Sequence, residues 1–219
     1  MRNAFVVFKP LIFFLFLCFT YLTLFSETKS NINSYKQILM ESAIELSKAL
    51  KISLAERKDI PKGKIVLLSQ QNKNIKMGAF QMLINEEHPY PKKEEDIINV
   101  DILDSKNKIV ARGIVSHYIS FEEAKLNLLT RLVHNSMPME MVIAGLKLVN
   151  DVGDFCIEKQ EYNWEKKVFV PVYYLVRAST AVKLTAVPGT TNLLEIVKEL
   201  DKAIINAAKE NASKKDDQK

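Results

Sequence analysis

Three methionines lie at alternate positions in the run MPMEM (137–141), and a histidine, His134, precedes them closely. Thioether sulfur is a soft ligand that selects Cu(I), so Met137, Met139, Met141 and His134 could together bind this ion in an oxidising compartment. Methionine-rich segments more often fill an irregular part of a core or line a contact groove. No second cluster of methionine and histidine accompanies the run. Cu(I) binding is therefore an alternative hypothesis.

A single cysteine, Cys156, remains in the chain beyond its N-terminal apolar segment. It could pair with His117 or His134 as a thiol–imidazole nucleophile, with Asp154 orienting the histidine. A lone cysteine in a β-prone run is more often a small buried hydrophobic side chain. A thiol-dependent enzyme is therefore the weaker alternative.

Other catalytic and cofactor signatures are missing from the sequence. The three histidines have no metal-ligand spacing of the HxxxH or HxH kind. The chain contains no P-loop, no GxSxG motif and no dinucleotide fingerprint. The sequence thus favours a protein that is not an enzyme and has no cofactor.

Aromatic side chains give the remaining functional candidates. Tyr162 and Trp164 fall at a predicted hairpin tip, where exposed rings are typical of the anchors of a binding surface. Trp164 could instead cap the core. Tyr173 and Tyr174 point to opposite faces of a predicted strand, so one of them should be exposed or covered by another element. We predict that Tyr162, Trp164 and Tyr173 contact a partner.

Composition and charge indicate an ordinary globular protein. The chain has 219 residues, 47% of them hydrophobic and 26% charged, with a net charge of +5. No face or run of lysine and arginine stands out, which argues against a nucleic-acid partner. One remaining cysteine cannot form an internal disulfide.

The N-terminal segment 1–30 reads as a targeting sequence. Arg2 and Lys9 precede Leu11–Phe25, which is fifteen uncharged, mostly apolar residues. A helix of that length rises about 22 Å, short of the roughly 30 Å core of a bilayer. This favours a signal peptide, with an uncleaved membrane anchor as the alternative. We therefore predict an exported protein, periplasmic or extracellular.

Two strand–turn–strand–helix units form the framework of the fold. One covers 97–133 and the other 168–205, and a Ser120–Glu123 capping box begins the first helix. They predict an α+β domain over 31–206, with halves 31–135 and 136–206. Its antiparallel sheet or sheets would pack on two or three helices. If the units arose by duplication, we expect either two curled sheets or one sheet with its helices on one face.

The other predicted elements surround these units. A helix is expected over 33–55 and strands over 64–69 and 76–84, with Gly78 at a bulge. The proline- and charge-rich segment 85–96 should be a loop, and 207–219 a disordered charged tail. Pro171 implies an edge position or a bulge in the 168–176 strand.

The order of elements over 97–205 resembles that of secreted or periplasmic α+β domains of unassigned activity. The matching residues are Val152-Gly153-Asp154, Leu175-Val176-Arg177 and the closing helix. The resemblance covers about half the chain, and its motif is short. It implies a fold and an exported location, and it brings no catalytic residues.

Taken together, the sequence predicts an exported, non-enzymatic binding or structural module of the cell envelope. Its partner would be a protein or another envelope component. Nucleic acid is not expected as a partner, and the membrane only through segment 1–30.

Overall fold

The computed structural model describes residues 37–53, 65, 67–68, 73–85, 97–133 and 138–216. The chain divides into two compact units, Met1–Ser42 and Ala43–Lys219. In the first unit the described residues, 37–42, belong to helix α1, whose described part is 37–49. The predicted targeting segment 1–30 and nearly all of the predicted 85–96 loop lie outside the described residues.

The second unit contains all the strands and the other helices of the described part. In chain order these are β1 (Asn74–Met77), β2 (Phe80–Ile84), β3 (Ile97–Leu103), β4 (Ile109–His117), α2 (Phe121–Val133), α3 (Met139–Ala144), β5 (Leu146–Leu148), β6 (Phe155–Asn163), β7 (Val168–Arg177), β8 (Thr180–Ala186) and α4 (Leu193–Asp216).

The eight strands form one antiparallel sheet in the order β1-β2-β3-β4-β8-β7-β6-β5. Each half is a meander, because its four strands are neighbours in sequence and in space. The two halves join where β4 pairs with β8, from Ala111 opposite Ala186 to His117 opposite Thr180. An antiparallel sheet with helices confirms the predicted α+β class, and the sheet is continuous.

Helices α2 and α4 lie on opposite faces of this sheet. Directly paired residues of antiparallel strands share a face, and successive residues alternate. On one face Ser116 accepts a hydrogen bond from Arg131 of α2, over 3.3 Å. On the other face Arg177 donates to Asp201 of α4. We call these the α2 face and the α4 face.

This arrangement contradicts the expectation that one continuous sheet would have both helices on the same face. If the two units were duplicates, a two-fold axis would relate the antiparallel neighbours β4 and β8, and this axis would be perpendicular to the sheet. Such an axis keeps each face on its own side, so it would place α2 and α4 together. The symmetric strand order is therefore not accompanied by symmetric helices.

The beginning of α2 follows the predicted local rules. Ser120 Oγ accepts a hydrogen bond from the backbone N–H of Glu123, over 3.1 Å. The Glu123 carboxylate reaches back to the N–H of Ile119, one residue before the expected Ser120. Five apolar residues of α2 are buried against the core: Phe121, Ala124, Leu128, Leu129 and Leu132.

Two predicted strands are wrong. In the 64–69 segment the described residues Ile65, Leu67 and Leu68 are buried but pair with no strand. Ile65 instead exchanges hydrogen bonds with the side chains of Ser179 and Thr180. The 76–84 run is a hairpin rather than one strand, because Gly78 has a φ of 59° and turns the chain between β1 and β2.

Helix α4 is longer than expected. It continues to Asp216, into the 207–219 segment that the sequence predicted as disordered. Ala207 and Ala208 favour helix, and Ala208 is buried, so packing as well as propensity extends α4 beyond residue 206. None of the helices in the described part of the chain is both long enough and apolar enough to span a bilayer.

Candidate functional site

The β6–β7 hairpin projects beyond the strands on either side of it. β5 pairs with β6 only as far as Lys159, and β8 pairs with β7 only from Val172 onward. Among the described strands, the four residue pairs from Gln160–Pro171 to Asn163–Val168 therefore have no ladder partner outside the hairpin. Four pairs extend the ribbon by about 14 Å. We call the segment Gln160–Pro171 the finger.

Pro171 lies where the finger leaves the sheet. Proline has no backbone N–H, so it cannot donate to a ladder on that side. The β7–β8 ladder ends one residue away, at Val172. Within the finger β7 is thus an edge strand at Pro171, as the sequence predicted.

The finger ends in a loop of four residues, 164–167. Asn163 Oδ1 accepts a hydrogen bond from the backbone N–H of Lys166, over 2.8 Å, and this fixes the turn. Lys167 closes it with a φ of 54°. Glu165 and Lys166 form an exposed ion pair at 3.0 Å. Of the two residues predicted at the tip, Trp164 lies in this loop, whereas Tyr162 lies on β6 just before it.

Three aromatic rings gather at the tip of the finger. Tyr162 contacts Trp164 edge-on, with ring centroids 4.8 Å apart, and contacts Phe169 at 5.1 Å. Trp164 is 83% exposed and Phe169 is 70% exposed. The alternative that Trp164 caps the core is wrong. We call Tyr162, Trp164 and Phe169 the aromatic tip.

Exposure of this kind is unusual for a cluster of rings. Single exposed apolar residues are common, but adjacent large ones typically mark a contact surface. Tyrosine, tryptophan and phenylalanine are the residues most enriched in such surfaces. The aromatic tip is therefore the best candidate site in the described part of the chain.

A polar network lies on the α2 face at the base of the finger. Glu161 accepts a hydrogen bond from the Tyr174 hydroxyl, over 2.6 Å, and forms an ion pair with Lys183 at 2.9 Å. Burial acts to raise the pKa of Glu161, but Tyr174 and Lys183 outweigh it and leave that pKa lowered. The same burial raises the pKa of the Tyr174 hydroxyl. These contacts anchor the finger to β8.

The third predicted contact residue, Tyr173, lies apart from the aromatic tip. It is only 5% exposed, and its hydroxyl donates to Glu158 over 3.1 Å. Burial raises the pKa of Tyr173, with Glu158 as the next cause. Tyr174 is buried as well. Of the two outcomes expected for one of these tyrosines, exposure or cover by another element, the second is observed, because helices lie on both faces of the sheet.

An ion-pair network closes the other end of the hairpin. The Arg177 guanidinium donates two 2.6 Å hydrogen bonds to the Asp201 carboxylate and a third, of 3.2 Å, to Asp154. Asp154 also accepts from the Ala178 backbone N–H, over 2.6 Å. The hydrogen bonds to Asp201 raise the pKa of Arg177 above its already high ordinary value. We call these three charged residues the ion clamp.

Gly153 lets the chain reach the ion clamp. Its φ of 68° favours glycine, and an added Cβ would overlap Leu175 and lie 2.6 Å from the Val176 carbonyl oxygen. The fold thus brings together the two motifs that matched in the sequence, Val152-Gly153-Asp154 and Leu175-Val176-Arg177. Their role here is to hold β7 against α4.

The predicted copper ligands do not converge in the described residues. Met139 and Met141 lie two positions apart on α3, and such residues point in directions about 200° apart. Met139 packs against the core, whereas Met141 is exposed. His134 and Met137 lie outside the described residues. Among those described, no group of three histidine, cysteine, aspartate or glutamate side chains is arranged to hold a metal.

The thiol–imidazole pair proposed for Cys156 with His117 is not assembled either, and the other candidate, His134, lies outside the described residues. Cys156 is buried, and desolvation raises the pKa of its thiol to about 12, which keeps the thiol protonated. His117 lies three strands away on β4, about 14 Å at the usual strand spacing. Asp154 belongs to the ion clamp.

Two features of the site were missed from the sequence. Phe169 belongs to the aromatic tip because it pairs with Tyr162 across the hairpin. Correct placement of the turn would have revealed that pairing. Asp201 in the ion clamp is 24 residues from Arg177, and no local pattern connects the two.

Family models give no match to this chain, and no curated protein matches it. A solved structure from Bacteroides thetaiotaomicron VPI-5482 is similar, with 13% sequence identity and a TM-score of 0.30. The similarity covers 66% of this chain and 47% of that one, so this chain spans about half the length of its match. A likeness at this level supports no argument about function.

Proposed function

We propose that this chain is an exported, non-enzymatic α+β binding module of the cell envelope, and that the finger contacts its partner. Segment 1–30 would deliver the domain as a signal peptide or hold it as an anchor. The sheet, packed on two or three helices, would act as a rigid support for the finger. The aromatic tip is the single observation that carries the proposal.

The proposal is supported by the small contribution that the exposed rings of the aromatic tip make to folding. Rings held together in water contribute little to folding, because they bury only part of their apolar surface. The finger itself is firmly tied to β8 through Glu161 and Lys183. A rigid support that presents exposed aromatic side chains is the usual design of a binding site.

Photo-crosslinking in cells would test the proposal. A crosslinking amino acid replaces Trp164 in one version of the full chain and Ile119 in the other. Ile119 is a matched control, since it is 78% exposed and follows β4 at the opposite end of the sheet. We expect specific adducts from position 164 only. Equal labelling from both positions, or none from 164, would contradict the proposed role of the finger.

The non-enzymatic part of the proposal has a separate test. Iodoacetamide at neutral pH should modify Cys156 slowly, and addition of denaturant should accelerate the reaction, because the folded thiol is buried and protonated. Fast modification of the folded protein would favour the thiol-dependent alternative.

A further inference from the structure

We propose that the aromatic tip inserts into the interfacial region of a bilayer that carries anionic headgroups. This inference rests on the proposed binding role of the finger and names its partner as the membrane surface. It also adds a second membrane contact to that predicted through segment 1–30.

The shape of the finger favours a bilayer over a folded protein. The finger is a two-stranded ribbon that protrudes from the sheet, so its end is narrow and convex. From the size of aromatic side chains, the exposed part of the three rings amounts to roughly 400 Å². A stable protein interface buries about 800 Å² on each partner. A bilayer needs no complementary pocket and can accept a small convex surface.

The residue types fit the interfacial region in particular. Tryptophan and tyrosine concentrate at this depth of membranes, because each combines an apolar ring with one polar group. Trp164 and Tyr162 supply both kinds of ring, and Phe169 adds a purely apolar one. Contact between the rings keeps them on one side of the finger, so they can enter together.

The charges beside the rings favour anionic lipids. The four-residue loop contains Lys166, Lys167 and one acidic residue, Glu165, which pairs with Lys166, so the loop has a net charge of +1. Each lysine near an anionic surface adds a favourable electrostatic contribution. Their aliphatic stems can lie beside the rings while the ammonium groups stay at the headgroups.

The sequence also places a membrane nearby. Leu11–Phe25 is predicted to be a signal peptide, which takes the domain across a membrane, or an anchor, which keeps it at one. An anchored domain with a second, weaker contact at its finger would gain affinity from the high effective concentration.

Tryptophan fluorescence tests this inference directly, because Trp164 is the only tryptophan in the chain. The full chain is titrated with vesicles of equal parts phosphatidylcholine and phosphatidylglycerol, and then with phosphatidylcholine alone. We expect the Trp164 emission to shift to shorter wavelength and brominated lipid to quench it. The signal reports on the tip alone, so membrane binding by segment 1–30 does not produce it.

Variants identify the groups that insert. Phe169→Ser should require roughly tenfold more lipid for half of the emission shift, since it removes an apolar ring from the contact. Lys166→Gln combined with Lys167→Asn should weaken insertion into anionic vesicles only. Asparagine tolerates the positive φ of position 167. Ile119→Ser is the control and should leave the titration unchanged.

A Trp164 emission that stays unshifted and unquenched with both lipids would overturn the membrane inference. So would an unchanged titration of the Phe169→Ser variant. If protein adducts still form at position 164, the binding role of the finger stands and only the membrane inference fails. If no adduct forms there either, both proposals fail.

Discussion

The two ends of the β6–β7 hairpin differ in the burial of their side chains. At the ion clamp, Arg177 lies between two buried carboxylates, and each of the three has hydrogen-bond partners. At the aromatic tip, Trp164 and Phe169 lie in solvent although they are among the most apolar residues of the chain.

The comparison separates what folding requires from what it leaves unexplained. Buried charge is tolerated at the clamp because every desolvated group is paired there. No contact within the described chain compensates for the exposed rings in the same way. The clamp therefore reads as part of the scaffold, and the tip as a surface kept for a partner.

A substitution in the ion clamp should have the largest effect on the free energy of unfolding. Arg177→Met would leave Asp154 and Asp201 buried without their cation, which should lower the free energy of unfolding by about 3–5 kcal/mol. Arg112→Met is the control, since Arg112 is mostly exposed and lies 3.4 Å from Asp101. It should cost less than about 1 kcal/mol. Urea unfolding of both variants checks this, and equal losses would contradict a structural clamp.

A backbone change beside the clamp should have the next largest effect. Gly153→Ala places a Cβ against Leu175 and Val176 at a positive φ, so it should cost about 1–3 kcal/mol. Gly145→Ala is the matched control, because Gly145 has a φ of −87° and the first contact of the added Cβ is an ordinary one, 3.6 Å from the Val142 carbonyl oxygen. Thermal unfolding should separate the two, and similar melting temperatures would refute the steric argument.

The base of the finger should show a smaller, pH-dependent effect. Because the folded-state pKa of Glu161 is lowered from 4.5, its contribution to stability is present above that value. It is lost as the pH falls through the folded-state pKa. Tyr174→Phe should cost about 1 kcal/mol near neutral pH and should reduce this acid loss.

Tyr173→Phe provides the comparison for that measurement. The Tyr173 hydroxyl bonds to Glu158, so its removal leaves the contacts of Glu161 unchanged. Urea unfolding of both variants is followed from neutral pH to about pH 3. The same acid loss in Tyr174→Phe as in Tyr173→Phe would show that Tyr174 does not stabilise the Glu161 carboxylate.

The aromatic tip should show the smallest effect on stability. Trp164→Ala and Phe169→Ser remove exposed rings, so each should change the free energy of unfolding by no more than about 0.5 kcal/mol. Urea unfolding, with Ile119→Ser as the control, measures this. A loss of about 2 kcal/mol or more in the free energy of unfolding would show that the rings stabilise the fold, and the aromatic tip would then no longer differ from the ion clamp.

Local sequence determined the elements whose contacts are close along the chain. The strand pairs β3–β4 and β7–β8 of the two predicted units involve neighbours close along the chain, and both formed. Ser120 also caps α2 as predicted, although the Glu123 carboxylate bonds to Ile119. Even the position of Pro171 followed from its missing N–H. For the candidate site, the sequence correctly placed Tyr162 and Trp164 near a hairpin tip.

Tertiary structure decided everything that depends on which elements meet. The pairing of β4 with β8 fused the two meanders, and the placement of α2 and α4 on opposite faces buried both Tyr173 and Tyr174. The same long-range packing brought Asp201 to Arg177 and left Trp164 exposed. The hydrophobic effect is non-directional, so the sequence predicts that apolar residues will be buried. Which element covers each of them depends on the assembled fold.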